Sequence, residues 1–132
     1  MFKPIGFYLK RLDGLITAAF DEVLAGHGLR RRHWQVLTTL AERPGAPGEL
    51  AARLAPFWTE EDVSFASVLD DLIGRGLVTV ADLVEITETG RATQKELEVG
   101  VDGFRARMMT GLDREDYEKC VAALDRMCAN LT

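Results

Sequence analysis

Apolar residues recur at three- and four-residue steps near the start of the chain: Ile5, Leu9, Leu12, Ile16, Ala19, Phe20, Val23 and Leu24. That spacing lines them along one side of an α-helix over about 5–25, and Gly26 and Gly28 end it. A second helix follows over about 30–42, with Trp34, Leu37, Leu40 and Ala41 on one face. The stretch "RPGAPG" breaks it, with Pro44 and Pro47 among glycines. "ELAARLA" (49–55) is a short third helix whose Leu50, Ala51 and Leu54 face inward, closed by Pro56. A fourth is expected over 59–75. Thr59 is its N-cap, Asp62 stands at capping-box distance, and Gly74 and Gly76 close it. Its inward face is Val63 or Phe65, then Val68, Leu69, Leu72 and Ile73.

Beyond Gly76 the pattern changes. "LVTV" (77–80) and "LVEI" (83–86) are short β-branched runs joined by Ala81-Asp82, which predicts a small hairpin. Thr87 or Thr89 then opens a fifth helix reaching about Met109, with Gly100 and Gly103 weakening its middle. Asp113 caps a sixth, which carries Tyr117, Val121, Leu124, Met127 and Leu131 on one face.

The expected order is α-α-α-α-β-β-α-α, a mainly α chain in which a compact helix pair is followed by a hairpin. This is the winged helix-turn-helix arrangement. The 132 residues are one domain's worth and 47% hydrophobic, enough for a substantial core. We read 1–132 as a single domain with a winged lobe at about 30–90 and terminal helices at about 4–26 and 91–131. The long first, fifth and sixth helices cannot all bury their apolar faces against so small a centre. Pairing with a second copy of the chain would bury them, so the expected partner is the chain itself, as a homodimer.

Charge complicates this picture. Residues 1–32 hold six basic and three acidic groups, a net +3, whereas residues 44–76 hold two basic and six acidic groups, a net −4. Residues 77–90 have no basic group and three acidic ones. Glu60, Glu61 and Asp62 would sit in a first helical turn, where the helix dipole favours negative charge. Asp70 and Asp71 have no such reason. Arg30, Arg31 and Arg32 form the one basic cluster. They are either a solvated face pairing with acids or a site for phosphates or an acidic ligand.

No apolar run approaches the roughly 18 residues of a membrane span, and no secretory signal opens the chain. The expected address is the cytoplasm, with no membrane partner. Cys120 and Cys128 lie eight residues apart on one helix and cannot pair within it. They are either reduced, partly buried thiols or partners across subunits. No metal-ligand spacing, phosphate loop, nucleophile elbow or acid/base pair is present, so neither a cofactor nor catalysis is expected.

Several stretches together resemble the MarR (multiple-antibiotic-resistance) family of bacterial regulators. "GLRRRHWQVLTTLAE" (28–42) is similar to the family's second helix, and "ELAARL" to the first helix of its helix-turn-helix. "LDDLIGRGLV" (69–78) resembles the recognition helix running into the wing, "EITETGRA" (85–92) the exit from the wing, and "GLDREDYEKCVAALDRMCANL" (111–131) the last dimer helix. The resemblance implies a homodimeric transcription regulator that binds pseudo-palindromic double-stranded DNA and is modulated by a small-molecule effector. Helix 59–75 would then lie nearest the bases through Ser64 and Ser67, with Arg53, Arg75 and Arg91 on phosphates. An effector pocket would draw on Tyr8, Arg11, His33, Trp34 and Trp58, although Trp34 equally suits the core and His33 a surface or an internal bond.

The chain departs from the family pattern in three places. The connector "APFWTEED" is about one helical turn longer than usual, and Phe57 and Trp58 in it either cover the core edge, form a lid on a ligand pocket or anchor a protein partner. The fourth helix lacks the Arg, Lys, Asn or Gln that usually read base edges. The hairpin lacks the family's Asp-x-Arg element. These departures support an alternative: a winged-helix dimer that binds proteins or ligands without reading DNA directly.

Overall fold

The computed structural model describes residues 1–58 and 64–132, which form two compact units, Met1–Val101 and Asp102–Thr132. In the first, α1 (Ile5–Leu24) runs into a 3-10 turn at Ala25–His27, followed by α2 (Arg31–Glu42) and α3 (Pro47–Leu54). After a second 3-10 turn at Ala55–Phe57 come α4 (Phe65–Gly74), β1 (Val78–Val80), β2 (Val84–Ile86) and the start of α5 (Glu88–Met108). The order of elements is the one expected from the sequence.

Local chemistry explains most boundaries. Gly28 adopts φ +64°, and its N–H returns to the carbonyl of Ala25, which reverses the chain after α1. An L-residue there would be strained. Pro47 proves to be the first residue of α3 rather than part of the break before it. A proline fits there because the first N–H of a helix has no internal partner. Thr87 closes the hairpin and opens α5: its N–H reaches Leu77 O, its hydroxyl donates to Gly76 O, and its Oγ1 accepts from Gly90 N at 2.9 Å.

The expected N-cap Thr59, with Glu60, Glu61, Asp62 and Val63, lies outside the described residues. The described α4 begins later than expected, at Phe65, behind an extended Ser64 whose Oγ accepts from Ser67 N at 3.1 Å. The cap therefore falls at Ser64.

The core of this unit lies between α2, α3, α4 and the hairpin. Trp34, Val36, Leu37 and Leu40 of α2, Leu50 and Leu54 of α3, Val68, Leu69 and Leu72 of α4, and Val78 and Val84 of the strands are all buried. Ile73, expected inward, is 39% exposed. The strands pair antiparallel, with Val78 opposite Ile86 and Val80 opposite Val84, and Gly45 bridges the far side of Val84. Of α1, only Phe20 and Leu24 are buried. Gly100, expected to weaken α5, sits within an unbroken helix at a close approach to Val23.

The second unit contains the end of α5, a turn at Gly111 (φ +83°) and α6 (Arg114–Leu131). Asp113 caps α6 as expected, in a reciprocal box: Asp113 Oδ1 accepts from Asp116 N at 2.8 Å and Asp116 Oδ2 from Asp113 N at 3.0 Å. No residue of α6 is buried, and Cys120 and Cys128, expected to be partly buried, are exposed. No helix among the described residues is long and apolar enough to cross a membrane.

Candidate nucleic-acid interface

The orientation of α4 follows from what holds its two faces. Val68, Leu69 and Leu72 pull one side into the core, leaving Ala66, Ser67 and Asp70 on the exposed side. Helix α2 fastens α4 near both ends. At the first end, Gln35 Oε1 accepts from Trp58 Nε1 and from Arg32 Nη1, each at 2.9 Å. The Arg32 guanidinium also lies 5.7 Å from the Trp58 ring centre. Trp58 in turn meets Phe65, the first residue of α4, at 5.9 Å between ring centres. Trp58 is thus half-buried and bonded to α2.

At the other end, Asp71 Oδ2 receives His33 Nε2 at 2.8 Å and Arg75 Nε at 3.0 Å. His33 Nδ1 accepts the backbone N–H of Arg30 at 3.1 Å. An unprotonated Nδ1 leaves the ring proton on Nε2, so the neutral imidazole donates to Asp71. Only this half of a capping box can exist, because an arginine side chain at the N-cap has no acceptor. Arg75 continues the chain of bonds, donating from Nη1 to His27 O (3.0 Å) and from Nη2 to Gly28 O (3.2 Å). Helix α4 is therefore tied to the α1–α2 junction through Asp71, which was unexplained in the sequence.

Partial burial works to raise the Asp71 carboxyl's pKa. The hydrogen bond and charge of Arg75, then the hydrogen bond from His33, outweigh it and hold the group below the usual carboxylate range. A carboxyl depressed on folding stabilises the fold above its unfolded pKa, and that contribution is lost as pH falls through the folded value. The pair is partly exposed, which limits its worth. Asp71→Asn is expected to cost about 1 kcal/mol at neutral pH and to flatten the loss of stability below about pH 4. Urea titrations at neutral and acid pH measure both. An equal loss at both pH values would mean that charge plays no part.

The arginines expected on phosphates share one property: each donates to a backbone carbonyl. Arg53 Nη2 reaches Thr39 O at 3.3 Å and Arg91 Nη1 reaches Ala41 O at 3.2 Å, both at the C-terminal end of α2. Thr39 O also accepts from the N–H of Arg43 at 3.4 Å, and both carbonyls lie at the negative end of the helix dipole, so a guanidinium there is favourable. Arg53 Nη1 is buried without a hydrogen-bond partner among the described residues. Arg31 of the basic cluster turns to α1, donating to Thr17 Oγ1 at 3.2 Å and Asp13 Oδ1 at 3.5 Å.

The hairpin adds no positive charge. Val80 and Leu83 are 43% and 42% exposed at its tip, beside Asp82. Of the expected effector-pocket residues, Trp34 is in the core, His33 is bound to Asp71, and Trp58 is bound to Gln35. Tyr8 and Arg11 lie on the exposed half of α1, where the Tyr8 hydroxyl accepts from Lys3 N at 3.0 Å. The sequence reading missed Gln35, and it missed the pairing of His33 with Asp71. The four-residue step from Asp71 to Arg75 was the one local signal. The described residues hold no group of side chains suited to a metal ion.

Residues 21–132 match the sequence profile of a helix-turn-helix family. Among solved structures, CouR from Rhodococcus jostii, bound to p-coumaroyl-CoA, is 25% identical with a TM-score of 0.78 over 95% of this chain and 91% of that one. A probable transcriptional regulator from Pseudomonas aeruginosa is 27% identical, with a TM-score of 0.71 over 95% and 97%. The MarR family protein Rv2887 of Mycobacterium tuberculosis, solved with DNA, has a TM-score of 0.73 over 96% and 98%; at 24% identity that likeness shows the fold.

Proposed function

The chain belongs to the MarR family of winged helix-turn-helix regulators, and from that premise we propose that it acts as a homodimer that binds double-stranded DNA and responds to a small ligand. The observation that carries the DNA reading is the lobe itself. A helix pair, Pro47–Leu54 and Phe65–Gly74, leads into a hairpin, and the second helix turns Ala66, Ser67 and Asp70 to solvent. Such a helix fits a major groove. Dimerisation is supported by the exposed apolar residues of α1 and α6. Ligand response is supported by CouR, which was solved with p-coumaroyl-CoA.

The arginine geometry shapes the expected binding. Arg53, Arg75 and Arg91 are engaged with carbonyls, so few cations remain for phosphates. Each phosphate contact releases counterions and steepens the salt dependence. Between 50 and 200 mM salt the affinity is expected to fall by less than the about thousandfold typical of six phosphate contacts. A salt titration against the upstream DNA of its own gene, with random DNA as control, measures this.

The same geometry favours a second reading, a winged-helix dimer used for protein interaction or ligand binding without direct DNA reading. No binding to any duplex at low salt by a folded dimer would select it.

A further inference from the structure

Asp70 differs from its neighbour in what it touches. Asp71 is held by His33 and Arg75, which fixes the rotation of α4 about its own axis. Asp70, one residue earlier, is exposed, with no hydrogen bond or ion pair to any described residue. It shares the outward row with Ala66 and Ser67, four and three residues before it. Arg75, the cation just beyond α4, is already bonded to Asp71 and two carbonyls. The outward row therefore presents one strong hydrogen-bonding group, and it accepts only.

An acceptor-only group is selective in the major groove. Guanine offers O6 and N7 there, thymine offers O4, and all three are acceptors that repel a carboxylate. Adenine places its amino donor beside the N7 acceptor. Cytosine presents the N4 amino donor without an acceptor of its own beside it. We infer that Asp70 is the side chain through which α4 discriminates bases, accepting a hydrogen bond from the N4 amino group of a cytosine in each half-site. This assignment rests on the DNA reading above and gives Asp70 a role in it. The same carboxylate repels phosphates wherever no cytosine amino group meets it. It lowers affinity for random DNA while sparing the cognate site.

The test is selection from a randomised duplex pool with the full-length protein, its Asp70→Asn and its Asp70→Ala variants, followed by affinity measurements on the enriched duplex and on random DNA. Asp70 is exposed and has no partner among the described residues, so both variants are expected to fold. Wild type is expected to enrich cytosine at one fixed position per half-site, and replacing it is expected to cost about tenfold per half-site and about a hundredfold for both. Asparagine can bond bidentately to adenine, so Asp70→Asn moves that preference to adenine. Asp70→Ala loses it and keeps the other positions. Both variants bind random DNA more tightly than wild type. If both variants select the same base as wild type at every position, the assignment is overturned while the DNA reading stands. If no duplex is retained by wild type or by either variant, all three folded by circular dichroism, the DNA reading falls and the assignment with it.

Discussion

Replacing Gly90 with alanine is expected to cost about 3 kcal/mol or more of folding stability and to lower the melting temperature by about 10 °C. Gly90 is buried in the first turn of α5, where the chain leaves the hairpin. A Cβ there would run into the carbonyl oxygen of Leu77, and would stand 2.8 Å from Ile86 Cγ1 and 3.0 Å from Leu77 C. The obstacle is backbone, and that backbone is already fixed: Thr87 N bonds to Leu77 O and Thr87 Oγ1 accepts from Gly90 N. Relief would require α5 to lift off β1 and give up those bonds. Elsewhere in a helix, glycine to alanine is stabilising by about 1 kcal/mol, so the expected sign is the reverse of the usual one. Gly100→Ala is the control. Its Cβ would meet Val23 Cγ1 at 2.7 Å and Cγ2 at 3.2 Å, a half-buried side chain rather than backbone, so Val23 must give way. The propensity gain then offsets much of the crowding, and a change within about 1 kcal/mol is expected. Thermal unfolding of the two variants gives both values. A Gly90→Ala protein that melts like wild type would mean that α5 is not seated against the Leu77 carbonyl.

The same contrast shows what the sequence could reveal. Periodicity located α1 and α2 to within a residue or two, since apolar spacing is a property of the local chain. Asp113 could be recognised as a cap for the same reason. Pro47 is ambiguous in the sequence, because a proline that ends one helix and a proline that begins the next look alike in composition. Burial along α1 was legible as a stripe. What covers that stripe was not, and only Phe20 and Leu24 find cover in the single chain. The arginines were the least legible. Arg75 meets a carbonyl 48 residues away and Arg91 one 50 residues away. A backbone carbonyl carries no sequence signature, so basic side chains that satisfy helix ends are indistinguishable in sequence from those that await phosphates. His33 and Asp71, 38 residues apart, were separately visible as unexplained polar groups. Only the fold brings them together.

Leu12→Glu in α1, or Val121→Glu in α6, is expected to convert a two-chain particle into single chains and to raise the dissociation constant by about a thousandfold. In the single chain Ile5, Leu9, Leu12 and Leu15 are 45–56% exposed, whereas Phe20 and Leu24 on the same helix are buried. On α6, Tyr117, Val121 and Met127 are 46–49% exposed and Leu131 90%. A monomer rarely leaves so much apolar surface in contiguous stripes, and the spacing on both helices is that of a face built for burial. Burying one such side chain stabilises by about 2 kcal/mol. A two-fold interface contains every residue twice, so one substitution removes about 4 kcal/mol before the cost of burying a carboxylate is added. The surface exchange Glu118→Gln is the control. Glu118 is 63% exposed and, among the described residues, is paired with Arg114 on its own helix, and its loss should leave association unchanged. Sedimentation at micromolar concentration, with circular dichroism on the same samples, separates the outcomes. Halved mass in both apolar variants with the helix content retained supports the paired arrangement. Unchanged mass in both, or a single-chain mass for the wild type, refutes it. The consequence reaches the lobe. A symmetric protein reads both halves of a palindrome, so cytosine preference in two half-sites depends on the pairing. A variant that separates the chains should retain the fold of the lobe and lose the squared discrimination with it.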